Sequence, residues 1–360
     1  MTLSNPFKSS IRGVRVVRTD AEIACPDIDE ALRLAGAELV LLPGGVSEAD
    51  LIAAVQEADL LLMCYTPITA NVIEQTTKLR GIVKYGVGID AIDIEAAMEK
   101  GIPTVNVPEY AENTVAEGAF CLLLGLAKRL LPVHKAVQSD GWIHPDVSWL
   151  GNDIRGMCVA IVGLGRIGSA FARMAGAGFG ARVIGFDPAV SAEAMNAMGV
   201  EKYHRLPSLL AEADVVSLHC VLNSQTRTLI GHAEFSAMRR KPIFINVSRG
   251  ALVDEQALID ALDSGQVRAA GLDVYGTEPL SRHRHPLASL FDRDNVILFP
   301  HLTFYTVEAM QRLSEEVLRR SAELLAGEPT TICSTDPRLT AQFGRLKVRR
   351  AEPAPQRNIK

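Results

Sequence analysis

Gly163, Gly165 and Gly168 stand at the spacing G-x-G-x-x-G within Val159-Ala160-Ile161-Val162-Gly163-Leu164-Gly165-Arg166-Ile167-Gly168-Ser169. Glycines at that spacing, between an apolar strand and a helix start, handle phosphates. The first permits a tight turn. The second lets a pyrophosphate approach the backbone. The third lets the helix pack close to the strand. The positive end of the helix then faces the anion. Arg166 and Ile167 lie at the helix start and join the glycines as candidate cofactor contacts. A second apolar strand, 182–186, ends at Asp187, 19 residues past Gly168. An acid there accepts hydrogen bonds from adenosine ribose hydroxyls and repels a 2′-phosphate, which implies NAD rather than NADP. A glycine-rich turn beside a surface Asp is the plain alternative. The register of strand, glycines, helix and acid outweighs it.

Three more polar residues follow predicted strands. Arg249 comes after 243–247, Glu278 after 270–274 and His301 after 296–299. In a parallel sheet the C-terminal strand ends line one crevice, where the ligand binds. A guanidinium there grips a carboxylate through two parallel hydrogen bonds and polarises the adjacent carbonyl. An imidazole supplies the proton as hydride arrives. A carboxylate bonded to that imidazole fixes its tautomer and favours its protonated form. Taken singly, Arg249 reads as a loop anchor, Glu278 as a turn residue and His301 as a structural histidine. Their joint placement points to reduction of a 2-keto acid.

The scaffold that must position these groups is legible as alternation. Apolar runs at 14–17, 39–42, 60–64, 81–85 and 104–107 are interleaved with helical stretches near 27–35 and 92–100. A long helical segment, 114–137, follows, and the glycine motif starts only near Cys158. Further strands at 215–219, 243–247, 270–274 and 296–299 alternate with helices near 233–239 and 255–263. A last helix spans 307–326 and returns to the first domain. Strands alternating with helices predict β-α-β units and parallel sheets. The polar, basic stretch 336–360 reads as a surface tail.

Composition narrows the class. The 360 residues suit two domains, and 48% hydrophobic with 22% charged residues is ordinary for a globular protein. A net charge of −5 gives no electrostatic case for nucleic acid or an anionic membrane. The six cysteines are scattered with no C-x-x-C pair, which fits a reducing compartment. The N-terminus lacks an apolar signal core and no apolar run would span a bilayer, so the cytoplasm is the expected location. His283 and His285 are spaced i, i+2 in an Arg/His-rich loop, but no Cys or carboxylate cluster completes a metal site. No metal is expected.

From about Gly81 to about Ala326 the chain resembles the D-isomer-specific 2-hydroxyacid dehydrogenases. Asn246-Val247-Ser248-Arg249-Gly250 is similar to the family's arginine motif. Gly271-Leu272-Asp273-Val274-Tyr275-Gly276-Thr277-Glu278-Pro279 is similar to its glutamate motif, and Pro300-His301 to its histidine motif, 23 residues beyond Glu278. The resemblance implies that His301 is the acid/base, Glu278 its partner and Arg249 the substrate-orienting residue. It implies that Asp273 holds the nicotinamide carboxamide. Lys84-Tyr85-Gly86-Val87-Gly88-Ile89-Asp90 resembles the loop whose N–H groups, at Val87 and Gly88, receive the substrate carboxylate. The implied fold is α/β, with two Rossmann-like, doubly wound parallel-sheet domains. Residues 1–112 and 306–335 form a discontinuous substrate domain, and 113–305 an NAD-binding domain with a dimer-forming extension at 114–150. Hinges are expected near Glu112 and Tyr305. A homodimer is the implied assembly, and Trp142 or Trp149 is a candidate to reach the partner.

Departures from the family pattern refine this. Leu302-Thr303-Phe304-Tyr305 replaces the double glycine that often follows the histidine, and resembles the D-lactate dehydrogenase branch, as does Val107-Pro108-Glu109-Tyr110. Tyr110 and Phe304 are then candidates to line the substrate side-chain pocket. His219-Cys220-Val221-Leu222-Asn223 lacks the usual proline and threonine. A glutamate at 278 argues against formate dehydrogenase. Two alternatives stand beside the dehydrogenase reading. One is an NAD(H)-sensing, corepressor-like binding protein on the same fold. The other keeps the enzyme with glyoxylate, hydroxypyruvate or a phosphoglycerate-type acid as substrate.

Overall fold

The computed structural model of the chain describes Pro6, Phe7 and residues 10–351. It divides into two compact units, one of residues 1–110 with 306–360, the other of residues 111–305. In the first unit β1 (Arg15–Arg18), α1 (Pro26–Leu34), β2 (Glu38–Leu41), α2 (Glu48–Val55), β3 (Leu60–Met63), α3 (Ala70–Glu74), β4 (Ile82–Lys84), α4 (Ile94–Glu99) and β5 (Thr104–Asn106) alternate along the chain. The strands pair in parallel in the order β2-β1-β3-β4-β5. All four side chains of β3 are fully buried, as a central strand covered on both faces requires.

The second unit opens with α5 (Glu112–Ala127) and α6 (Leu130–Asp140). Then come β6 (Cys158–Val162), α7 (Arg166–Arg173), β7 (Arg182–Phe186), α8 (Ala192–Ala197), β8 (Glu201–Lys202), α9 (Leu206–Glu212), β9 (Val215–Leu218), α10 (His232–Ala237), β10 (Ile243–Asn246), α11 (Glu255–Asp263), β11 (Ala269–Leu272) and β12 (Val296–Leu298). The seven strands are parallel and ordered β12-β11-β10-β9-β6-β7-β8. The order reverses direction at β6, whose neighbours are β7 and β9, and this switch point opens a crevice at the C-terminal strand ends. The chain returns to the first unit with α12 (Val307–Leu325), β13 (Thr330–Ile332), α13 (Pro337–Thr340) and β14 (Val348–Arg350).

Two expectations change. The helical segment at 114–137 is two helices, because Arg129 adopts a left-handed φ of 53° and breaks the hydrogen-bond ladder between α5 and α6. The apolar pattern runs on through Leu130 and Leu131, which hides the break. The stretch read as a basic surface tail is built into the first unit as far as Ala351. Leu339 and Gln342 are fully buried, and β14 pairs with β13. Gln342 accepts from the Thr104 N–H at 2.9 Å and donates to the Thr104 carbonyl at 2.8 Å. Two of its neighbouring arginines have acidic partners, Arg338 with Asp336 and Arg349 with Glu323. Residues 352–360 of the predicted tail lie outside the described residues. Among the described residues no helix is long and apolar enough to cross a membrane.

Candidate active site

The three glycines do separate work at the β6–α7 turn. Gly163 has a φ of +95°, and a Cβ there would stand 2.4 Å from the Cys220 nitrogen. A Cβ on Gly168 would stand 2.1 Å from the Gly163 carbonyl oxygen. Gly165, by contrast, faces open space. It also begins α7 with no side-chain cap on the first helical N–H groups. An open glycine before uncapped helix amides is a cradle for a pyrophosphate, so the residues present fit a dinucleotide. Asp187, at the end of β7, accepts from the Leu164 N–H at 2.8 Å and the Ala189 N–H at 2.9 Å. Each carboxylate oxygen keeps capacity for a further donor, such as a ribose hydroxyl. Arg166 and Ile167 occupy the first positions of α7, with Arg166 3.9 Å from Glu112. Beneath the turn, His219 is held neutral, its pKa pushed down to about 3 by burial, and its Nε2 lies 2.8 Å from the Ser217 hydroxyl.

The second group lies past β10, β11 and β12. Asn246 braces the arginine turn, donating to the Arg249 carbonyl at 2.9 Å and accepting from the Ser248 N–H at 3.1 Å. A Cβ on Gly250 would stand 1.8 Å from the Tyr275 carbonyl carbon, so this turn packs directly on the backbone that leads to Glu278. Tyr275 connects the remaining parts. Its N–H donates to Glu278 Oε1 at 3.1 Å, and its hydroxyl lies 2.8 Å from the Phe299 carbonyl, two residues before His301. Burial pushes the Tyr275 hydroxyl above the usual tyrosine range, which keeps it a donor. Glu278 Oε2 stands 2.9 Å from His301 Nδ1. Burial alone would raise the Glu278 carboxyl. The His301 hydrogen bond and charge, the Tyr275 N–H and the Arg249 charge together bring it below the ordinary glutamate value. Glu278 is therefore ionised at neutral pH.

His301 has a left-handed φ of 56°, a conformation uncommon for residues other than glycine. Asp273 holds that turn. Its side chain is fully buried, accepting from the Leu302 N–H at 2.9 Å, the Thr303 N–H at 3.2 Å and the Thr303 hydroxyl at 2.5 Å. Burial pushes the Asp273 carboxyl up, against the opposing pull of those donors. Asp273, assigned by resemblance to the nicotinamide carboxamide, is thus turned in this structure toward the histidine loop. Phe304 is buried and edge-on to the His301 ring, with centroids 6.4 Å apart.

Of the remaining candidates, Val87, Gly88 and Tyr110 belong to the first unit, and Trp142 and Trp149 to the second. Asn106 Nδ2 donates to the Val87 carbonyl at 2.6 Å. In a planar trans peptide this turns the Gly88 N–H to the opposite side. Tyr110 is buried, and its carbonyl accepts from Arg312 Nε at 2.8 Å. Trp142 is 72% exposed and Trp149 half-buried. Sequence reasoning missed three supports of the site: Tyr275, Asn246, and Glu255, whose Oε1 accepts from the Gly276 N–H at 2.7 Å. Their partners are main-chain atoms, which no residue pattern marks.

Comparison with known proteins identifies the family. Residues 120–303 match the family model described as D-isomer specific 2-hydroxyacid dehydrogenase, NAD binding domain. Glyoxylate reductase of Korarchaeum cryptofilum is 38% identical over 288 residues, covering 78% of this chain and 84% of that protein. D-3-phosphoglycerate dehydrogenase of Methanocaldococcus jannaschii is 36% identical over 285 residues, covering 79% of this chain. The chain spans about half the length of that relative, 53%. The D-lactate dehydrogenase of Aquifex aeolicus, solved with NAD and lactic acid, superposes with a TM-score of 0.76 at 28% identity, covering 87% of this chain and 97% of that one. The chain belongs to the D-isomer specific 2-hydroxyacid dehydrogenases, an NAD-binding family of oxidoreductases.

Proposed function

We propose that this protein interconverts a D-2-hydroxy acid and its 2-keto acid, with His301 as acid/base, Glu278 as its partner and Arg249 orienting the substrate. The observation that carries the reading is the 2.9 Å contact between His301 Nδ1 and an ionised Glu278. When bound, NAD(H) gives or takes the hydride. Glu278 engages Nδ1–H and thereby fixes the tautomer, so the proton exchanged with substrate is carried on Nε2. In reduction Nε2–H donates to the carbonyl oxygen as negative charge develops there. In oxidation the neutral Nε2 takes the hydroxyl proton. The Arg249 guanidinium grips the substrate carboxylate and polarises the neighbouring carbonyl. The named activities of the relatives support a small 2-keto acid as substrate. The test is NADH consumption with pyruvate, longer 2-keto acids, hydroxypyruvate and glyoxylate. No turnover across that panel would leave only nucleotide binding and overturn the dehydrogenase reading.

NADH is expected to outperform NADPH by roughly 100-fold in kcat/KM, the scale of a like-charge repulsion of about 3 kcal/mol. The cause is Asp187 at the end of β7, beside the glycine turn. Equal efficiencies would remove Asp187 from cofactor selection.

Glu278→Gln keeps a hydrogen-bonding group of similar shape and deletes the charge. The substitution removes the negative charge 2.9 Å from His301 Nδ1, and a lone positive ring is less favoured than a paired one. Reduction needs the protonated ring, so its high-pH limb moves to lower pH. Oxidation needs the neutral ring, so its low-pH limb moves the same way. A shift of about one pH unit corresponds to ~1.4 kcal/mol. The check is kcat/KM against pH for both directions, and unmoved limbs would dissolve the pair.

A homodimer is part of the proposal. Its support is the apolar surface of the second unit, where Leu130, Trp142, Val147 and Leu150 are each 60% exposed or more. Cytoplasmic residence is supported by cysteines that carry no disulfide.

A further inference from the structure

We propose that His285 is a positioning residue that holds Glu278 against His301. This rests on Glu278 being the partner of His301, as proposed above. The run Ser281-Arg282-His283-Arg284-His285-Pro286 is exposed except at His285, which is 7% exposed. One inward imidazole thus anchors a long polar loop. Its Nε2 lies 2.8 Å from the Thr277 carbonyl oxygen, and its Nδ1 accepts from the Leu287 N–H at 3.1 Å. A carbonyl only accepts and an amide N–H only donates, so the two contacts define one tautomer, with the proton on Nε2. The ring also stands edge-on to Tyr275, at 6.2 Å and 80°.

Thr277 immediately precedes Glu278. Gly276, one residue earlier, is held from the other direction, its N–H donating to Glu255 Oε1 at 2.7 Å. The 275–276 and 277–278 peptide groups before Glu278 are therefore tied by side chains from α11 and from the 281–286 loop. His285 reaches the acid/base pair only through this backbone. Freed of the Thr277 tether, the Glu278 carboxylate gains latitude to move away from His301 Nδ1.

His285 also caps the turn at Pro286–Leu290 through Nδ1, and that is the competing structural role. Two variants separate the roles. In His285→Asn the amide oxygen stands where Nδ1 stood and still accepts from Leu287, but the side chain is too short to reach Thr277. In His285→Gln the terminal amide reaches the Nε2 position and donates to Thr277. The readout is the high-pH limb of kcat/KM for keto-acid reduction, with NADH affinity and thermal unfolding confirming folded protein. The Asn variant is expected to move the limb to lower pH by roughly half a unit, and the Gln variant to restore it. In the Glu278→Gln background His285→Asn adds no further shift, because the two residues act through one contact.

If His285→Asn keeps the wild-type limb, or adds its full shift to that of Glu278→Gln, His285 is only a cap and the proposal falls. If Glu278→Gln itself leaves the limb unmoved, the pairing of Glu278 with His301 is refuted, and this inference falls with it. The single variants thus tell the two failures apart.

Discussion

His301→Ala is expected to lower kcat for keto-acid reduction by roughly 10³-fold, the range of a lost general acid, while NADH still binds. The proton donor sits after β12, whereas the glycine turn and Asp187 lie at β6 and β7. His301→Asn is the companion variant, since asparagine tolerates the left-handed backbone that His301 adopts. It separates loss of the proton donor from disturbance of the turn. Both variants are to be assayed by steady-state turnover and by fluorescence titration with NADH. Near-wild-type turnover in the asparagine protein would take His301 out of the chemistry. Loss of NADH binding in both would mean that the substitution damages the fold of the second unit.

Arg249→Gln is expected to cost roughly 10²- to 10³-fold in kcat/KM for the keto acid. A neutral amide neither matches a carboxylate with two parallel charged bonds nor polarises the carbonyl. Arg249→Lys is expected to recover little, because a point charge lacks the planar fork. A second consequence has a definite sign. The Arg249 charge is among the causes that hold the Glu278 carboxyl low, so its removal raises that carboxyl. The low-pH limb of activity then moves to higher pH. Full kcat/KM in the glutamine variant would show that another cation orients the substrate.

The parallel strands and the strand-end placement of Arg249, Glu278 and His301 were readable because the information is local. Apolar runs of four or five residues, glycine spacing and a polar residue after each run all lie within a short window. Elements without such a signature escaped. The helices α2, α3, α8 and α9 are each eight residues or shorter, and β8 has two. The break at Arg129 depends on one backbone angle, which residue type does not report. The docking of 336–351 through Leu339, Gln342 and Arg349 depends on partners such as Thr104 and Glu323, outside that stretch. The same limit applies at the site. His285 in a basic, histidine-containing loop invites a metal reading and a solvent reading, while its actual bonds go to two peptide groups. The family resemblance implies a nicotinamide contact for Asp273, and no residue pattern marks the bonds its carboxylate accepts from the loop after His301.

The glutamine at 342 has a bearing on how the molecule keeps to itself. β5 is the outermost strand of its sheet, and an outer strand offers bare peptide groups to any passing polypeptide. At Thr104 that offer is withdrawn. One carboxamide supplies the acceptor and the donor that an intruding strand would bring, and it does so from within the same chain. The margin is sealed by a counterfeit peptide bond, where many proteins station a lysine, a proline or a bulge. A stretch read from its polarity as a surface tail thus occupies the open edge of the sheet at Thr104.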